Sequence, residues 1–186
     1  MTLRNSSDTW GSVSIALHWL TFLLVLGMAV VGLVMTELPT SPLKIQVYAL
    51  HKSFGLTVLG LTALRLGWRF FFGRPEPEPG SPRWQDRIAA LTHGALYGLL
   101  IAIPLSGWWF NSASGFPLRW FGLVALPKLG GFDPQLKEFA KETHGFLFFT
   151  LAALVAVHAA AALYHHYRVR DRTLSRMLPI KHKEQS

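Results

Sequence analysis

Residues 144–158 read HGFLFFTLAALVAVH, two histidines separated by thirteen residues of which none is charged. At 100° and 1.5 Å per residue, a step of fourteen closes to within about 40° of four full helical turns and climbs about 21 Å. Both imidazoles therefore leave one side of a helix, at opposite depths. A stretch this apolar belongs in hydrocarbon, and an ionisable side chain inside a membrane span is costly and functional by default.

The stretch sits within an apolar run over about 139–164, and three more runs follow the same pattern at about 13–35, 43–64 and 88–110. Each has the roughly 20 residues that cross a hydrocarbon core of about 30 Å. The 186 residues are 51% hydrophobic and 15% charged, a balance that points to membrane. The expectation is an all-α membrane protein, an antiparallel bundle of four transmembrane helices forming one domain over 1–186. The first run is too long for a signal-peptide core, and Met35-Thr36-Glu37-Leu38-Pro39 follows it where a small-residue cleavage site would stand. It reads as an uncleaved helix.

A net charge of +8 would suit nucleic acid, but the basic residues lie between the spans, where they set orientation and argue for no nucleic-acid partner. The side that holds both termini carries twelve, including Arg65, Arg69, Arg168, Arg170, Arg172, Arg176, Lys181 and Lys183; the other side carries six. The positive-inside rule puts both termini in the cytoplasm of a multi-pass protein.

Between the spans, Pro39 and Pro42 end the first helix in a short outer turn. Residues 73–82 alternate proline with polar residues and read as an extended cytoplasmic linker. Helix 3 exits at Trp108-Trp109, and roughly 30 residues, rich in aromatics around Trp120-Phe121, pass before helix 4 at the outer interface. The basic tail from Arg168 to Arg172 is placed to meet anionic lipid headgroups, with His182 in its solvated end. Gly94 and Gly98 form a small-xxx-small pattern, which lets helices approach closely or leaves room for a flat macrocycle between them.

Five histidines lie in the spans: His18, His51, His93, His144 and His158. His51, early in a helix that starts outside, shares the depth of His144; His18, early in a helix that starts inside, sits nearer the depth of His158. Two pairs follow, one per leaflet, with His93 a third candidate at the inner depth. Paired neutral imidazoles on different helices are what a b-type haem takes as axial ligands. Zinc or copper would want three or four convergent ligands, often with a carboxylate, and no acidic residue lies deep in a span. With no cysteine in the chain, thiolate-ligated haem, iron–sulfur clusters and disulfides are excluded.

Ser14-Ile15-Ala16-Leu17-His18-Trp19, Leu50-His51-Lys52-Ser53-Phe54-Gly55, Glu142-Thr143-His144 and Leu163-Tyr164-His165-His166-Tyr167 resemble the bacterial cytochrome b561 family, over nearly the whole chain. Within it they are similar to the superoxide oxidase type. The resemblance implies two haem b groups, an inner one on His18 and His158 and an outer one on His51 and His144, with His93 a non-ligand. It also implies superoxide, or another periplasmic electron donor, on the outside, and ubiquinone as the acceptor in the bacterial inner membrane. His165, about two turns beyond His158 on nearly the same face, is a candidate quinone contact. Lys52 and Arg119 are candidates for focusing a small anion on the outer side, where six basic and four acidic residues leave a small positive excess. Two other readings stay open. One is a cytochrome b anchor passing electrons between quinone and a separate redox subunit; the other is a haem-free metal transporter or structural membrane protein.

Overall fold

In the computed structural model, which describes residues 2–179, the apolar runs are helices α1 Ser12–Glu37, α2 Pro42–Phe72, α3 Arg83–Ala113 and α4 Pro134–Tyr164. Lys181, His182 and Lys183 lie outside the described residues. Each helix is long and apolar enough to cross a membrane. Leu23, Val30, Phe146 and Val157 are among many large apolar side chains standing exposed on their outer faces, a surface that lipid tails solvate as readily as another leucine would. The chain is an all-α bundle of four membrane helices, α1 against α2, α2 against α3 and α3 against α4. The described N-terminal segment and tail share one end, where Asp8 meets Arg172 and Trp19 meets Met177, called here the terminal end; the opposite end is the loop end.

The helices outrun their apolar segments because hydrocarbon thickness sets the apolar run and capping sets the helix. The Ser41 hydroxyl accepts the Lys44 N–H at 3.2 Å ahead of Pro42. The Asp133 carboxylate accepts the N–H groups of Gln135 and Leu136 at 2.9 and 3.0 Å ahead of Pro134. α2 therefore continues past residue 64, carrying Arg65 and Arg69 as helical residues, until Gly73 takes a φ of 66°. α3 likewise runs on past Trp108-Trp109 to Ala113.

Residues 73–82 form neither helix nor strand, but they are tied down. The Glu76 N–H donates to the Ser7 carbonyl at 2.8 Å, and the Asn5 side chain donates to the Gly73 carbonyl at 2.9 Å. Glu78 pairs with Arg176 at 2.8 Å, and Asp8 with Arg172 at 2.9 Å. The tail thus departs from the headgroup-binding expectation at Arg172, which a carboxylate of the protein's own N-terminal segment holds, and Arg176 is held likewise by the linker. Trp19 Nε1 donates to the Met177 carbonyl at 2.7 Å, so the tail closes beneath His18. α4 ends in a single π turn, His165–Val169, closed by Arg170 at a φ of 63°.

At the loop end, β1 Leu118–Trp120 pairs antiparallel with β2 Val124–Leu126 around a turn whose Phe121 and Gly122 both have positive φ, 47° and 75°, the pattern that matches strand twist. The hairpin was not foreseen in the long aromatic loop. It lies on α2: the Ser53 hydroxyl accepts the Phe121 N–H at 3.0 Å, Trp120 Nε1 donates to Thr57 at 3.1 Å, and the Phe54 and Phe121 rings meet edge to face at 5.1 Å.

Val58, Leu100 and Leu151, with Leu24, Val25 and Ile103 around them, form the apolar core at mid-height. Leu151 is seven residues from both His144 and His158, so the core separates two histidine levels. A Cβ added at Gly94 or Gly98 would meet nothing within 4 Å, which removes them as close-packing positions. The tight approaches are at Gly32 and Gly107.

Candidate functional site

α4 lies along α3, while neither α1 nor α2 packs its backbone along α4. Across that wider separation the imidazoles face each other. The His18 and His158 ring centres are 6.4 Å apart, and those of His51 and His144 are 6.3 Å apart. The third candidate, His93 on α3, stands 5.2 Å from His158.

Each ring is held differently. His144 Nδ1 is 3.0 Å from the Ile103 carbonyl oxygen, and since a carbonyl only accepts, Nδ1 carries the proton and Nε2 is left with its lone pair. The Ser106 hydroxyl lies 3.0 Å from the same Nδ1 and 2.8 Å from the same carbonyl. Gly107 supplies the room: a Cβ there would be 3.1 Å from His144 Cε1. Gly32 does the same for His51, at 3.3 Å. His51 Nδ1 is buried with no hydrogen-bond partner, so an interhelical hydrogen bond does not explain this residue. His18 Nδ1 is 3.2 Å from a guanidinium nitrogen of Arg65.

These residues fit a bis-imidazole haem site. A metal–imidazole bond of about 2 Å on each side, plus roughly 1 Å from nitrogen to ring centre, separates two trans imidazole centres by about 6 Å. Both cross-helix pairs have that spacing, and the His93–His158 separation falls short of it. Among the described residues no three His, Asp or Glu side chains converge closely enough to hold a bare metal ion.

At the loop end, Lys52 Nζ donates to Asn111 Oδ1 at 3.1 Å, and the Asn111 amide donates to the Phe116 carbonyl at 2.9 Å. Arg119 is exposed on β1, and its carbonyl lies 3.3 Å from the hydroxyl of Ser53, the residue after Lys52. Lys52, next in sequence to His51, and the backbone of Arg119 thus occupy one corner. At the terminal end His165 Nδ1 is 2.5 Å from Asp171 Oδ2. Burial would raise the Asp171 pKa, but the hydrogen bonds from His165 and from the Thr173 N–H outweigh it and hold the carboxyl below its ordinary value. Sequence reading missed Ser106, Gly107, Gly32 and Asp171; a Ser-Gly pair two residues beyond a mid-helix proline, Pro104, was the one available signal.

A family model described as prokaryotic cytochrome b561 matches residues 9–179. Cytochrome b561 homolog 2 of Escherichia coli K12 is 33% identical, covering 96% of this chain and 95% of its own length. Cytochrome b561 homolog 1 of the same organism is 32% identical, covering 92% and 98%. A protein of Yersinia pestis named probable superoxide oxidase CybB is 28% identical, covering 92% and 97%.

Proposed function

The chain belongs to the prokaryotic cytochrome b561 family, membrane electron-transfer proteins with b-type haem, and from that premise we propose that it is a dihaem superoxide:ubiquinone oxidoreductase of the bacterial inner membrane. His18 and His158 would hold one haem on the cytoplasmic side, which is the terminal end; His51 and His144 would hold the other on the periplasmic side, which is the loop end. The observation that carries this reading is the pair of cross-helix imidazole spacings, 6.4 and 6.3 Å, at two levels of α4.

The haem irons supply the one-electron redox change when bound. The chain's residues do the rest. Ile103 and Ser106 orient His144. Leu151 and its neighbours keep water from the space between the two levels. Lys52 and Arg119 raise the local concentration of superoxide at the periplasmic corner. Two superoxide anions each lose one electron and leave as dioxygen; ubiquinone takes both electrons with two protons and leaves as ubiquinol. His165, backed by Asp171, contacts the quinone and passes protons from the cytoplasm. The Yersinia relative's printed name supports the superoxide half of this reading.

The test is a reduced-minus-oxidised spectrum of the purified chain, with haem counted per polypeptide, followed by rapid mixing with superoxide. Two b-type haems reduced promptly by superoxide in the isolated chain are expected. Two haems that superoxide reduces only after another subunit is added would replace this reading with the quinone-linked anchor.

A further inference from the structure

Arg65 sits on α2 in the sequence Leu64-Arg65-Leu66-Gly67, where an always-charged guanidinium among apolar neighbours needs an anion. Among the described residues no carboxylate comes within 4 Å of Arg65 or of Arg69, one turn further along. Their contacts are otherwise: both guanidinium carbons stand over the Tyr97 ring of α3, at 5.3 and 6.0 Å, and an Arg65 nitrogen lies 3.2 Å from His18 Nδ1. An aromatic face attracts a cation without neutralising it.

The contact with His18 fixes where a proton is. A guanidinium has donors only, so His18 Nδ1 must accept, and its ring proton is on Nε2. Metal ligation through Nε2 moves that proton to Nδ1 and leaves two donors facing each other; ligation through Nδ1 takes the very lone pair that Arg65 uses. Either way Arg65 loses its acceptor when His18 becomes a ligand. It must then turn to another, and the fork of the guanidinium fits a carboxylate with two parallel hydrogen bonds.

We infer that Arg65, with Arg69 and Tyr97 beside it, forms a carboxylate-binding site, and that it takes a propionate of the haem held by His18 and His158. This rests on the dihaem reading above. Arg65 is then a positioning residue whose charge also favours the reduced iron.

The experiment measures release of the inner haem to apomyoglobin from the unmodified protein, Arg65→Gln and Arg65→Lys in lipid nanodiscs, each loaded once with ordinary haem and once with haem whose propionates are methyl esters. With ordinary haem, Arg65→Gln is expected to release the inner haem about tenfold faster than the unmodified protein, the worth of one charge-assisted hydrogen bond. The outer haem should stay unchanged, and Arg65→Lys should fall between. With the diester the three proteins should release the inner haem at one rate, because the ester offers no carboxylate to bind. Equal acceleration with both haems, or none with either, overturns the inference. Should Arg65→Gln retain no inner haem, the Lys variant carries the comparison: it must be accelerated more with ordinary haem than with the diester, and equal acceleration in both overturns the inference. An unmodified protein with no haem that His18→Ala removes would overturn the dihaem reading instead.

Discussion

His144 on α4 and Ile103 on α3 are joined by a hydrogen bond of 3.0 Å from Nδ1 to the carbonyl oxygen, and Ser106 sits within 3.0 Å of both partners. The bond sets the tautomer and the ring orientation together, and so decides which nitrogen faces His51. A positioned ligand costs less to order when a group binds, so the α3 segment from Ile103 to Gly107 is as much part of the site as the imidazole.

Gly107 should therefore tolerate little. A Cβ at 3.1 Å from His144 Cε1 and 3.3 Å from Nδ1 must displace the ring, and overpacking of this kind costs about 1–3 kcal/mol. Gly107→Val is expected to lower haem content from two per chain to one, measured by pyridine haemochrome; an unchanged content would remove Gly107 from the site. Ser106→Ala removes one hydrogen bond, about 1 kcal/mol, and should weaken outer-haem retention about fivefold.

The ligand assignment predicts a pattern across five alanine variants. His51→Ala and His144→Ala should each abolish the outer haem and keep the inner; His18→Ala and His158→Ala should do the reverse. His93→Ala should keep both, because its ring is 5.2 Å from that of His158, too close for an iron between them. Loss of a haem from His93→Ala as complete as from His18→Ala would reverse the inner pairing.

The parts of this fold that sequence revealed are those governed by one-dimensional rules. The bilayer demands apolar runs of fixed length, and helical period places His144 and His158 on one face. What it hid depends on how separate segments meet. Gly32 and Gly107 matter because of where α1 and α3 cross neighbouring imidazoles, whereas Gly94 and Gly98, with the familiar spacing, are closely approached by no neighbouring helix. Asp171 reaches His165, six residues back, only because α4 ends in a π turn and Arg170 adopts a left-handed conformation. Arg172 reads as lipid-facing until the N-terminal Asp8 and the linker's Glu78 are brought to it by the fold.

The tail should come loose in acid. Asp171 and Asp8 both have pKa values held below the ordinary 3.8, Asp171 by His165 and Thr173 against burial, Asp8 by the Arg172 hydrogen bond. For a carboxyl whose folded value is depressed, the stabilisation is full above the unfolded value and disappears as pH falls through the folded one. Tail docking is therefore expected to be constant from neutral pH to about 4 and to weaken below it. The chain has no cysteine, so a nitroxide on Pro179→Cys is unique, and its mobility should rise only below that pH. Asp171→Asn should raise the mobility at neutral pH; unchanged mobility in that variant would mean that Asp171 does not hold the tail.

Charge steering at the periplasmic corner gives the last prediction. Lys52 is held by Asn111 beside His51, and Arg119 is fixed on the hairpin through the contact of its carbonyl with Ser53. Lys52 thus directly follows His51 in the chain, and the backbone of Arg119 lies against the next residue, Ser53. Replacing Lys52 and Arg119 with glutamine should slow haem reduction by superoxide about tenfold, at the low end of electrostatic steering, with little change in reduction by an uncharged quinol. Screening supplies the internal control, because the Debye length falls from about 30 Å at 0.01 M salt to about 10 Å at 0.1 M. The unmodified protein should lose rate with superoxide across that range, and the double variant should lose less. A superoxide rate that ignores salt in the unmodified protein, or that survives the double substitution intact, would remove anion focusing from this corner and favour an electron donor that docks as a separate protein.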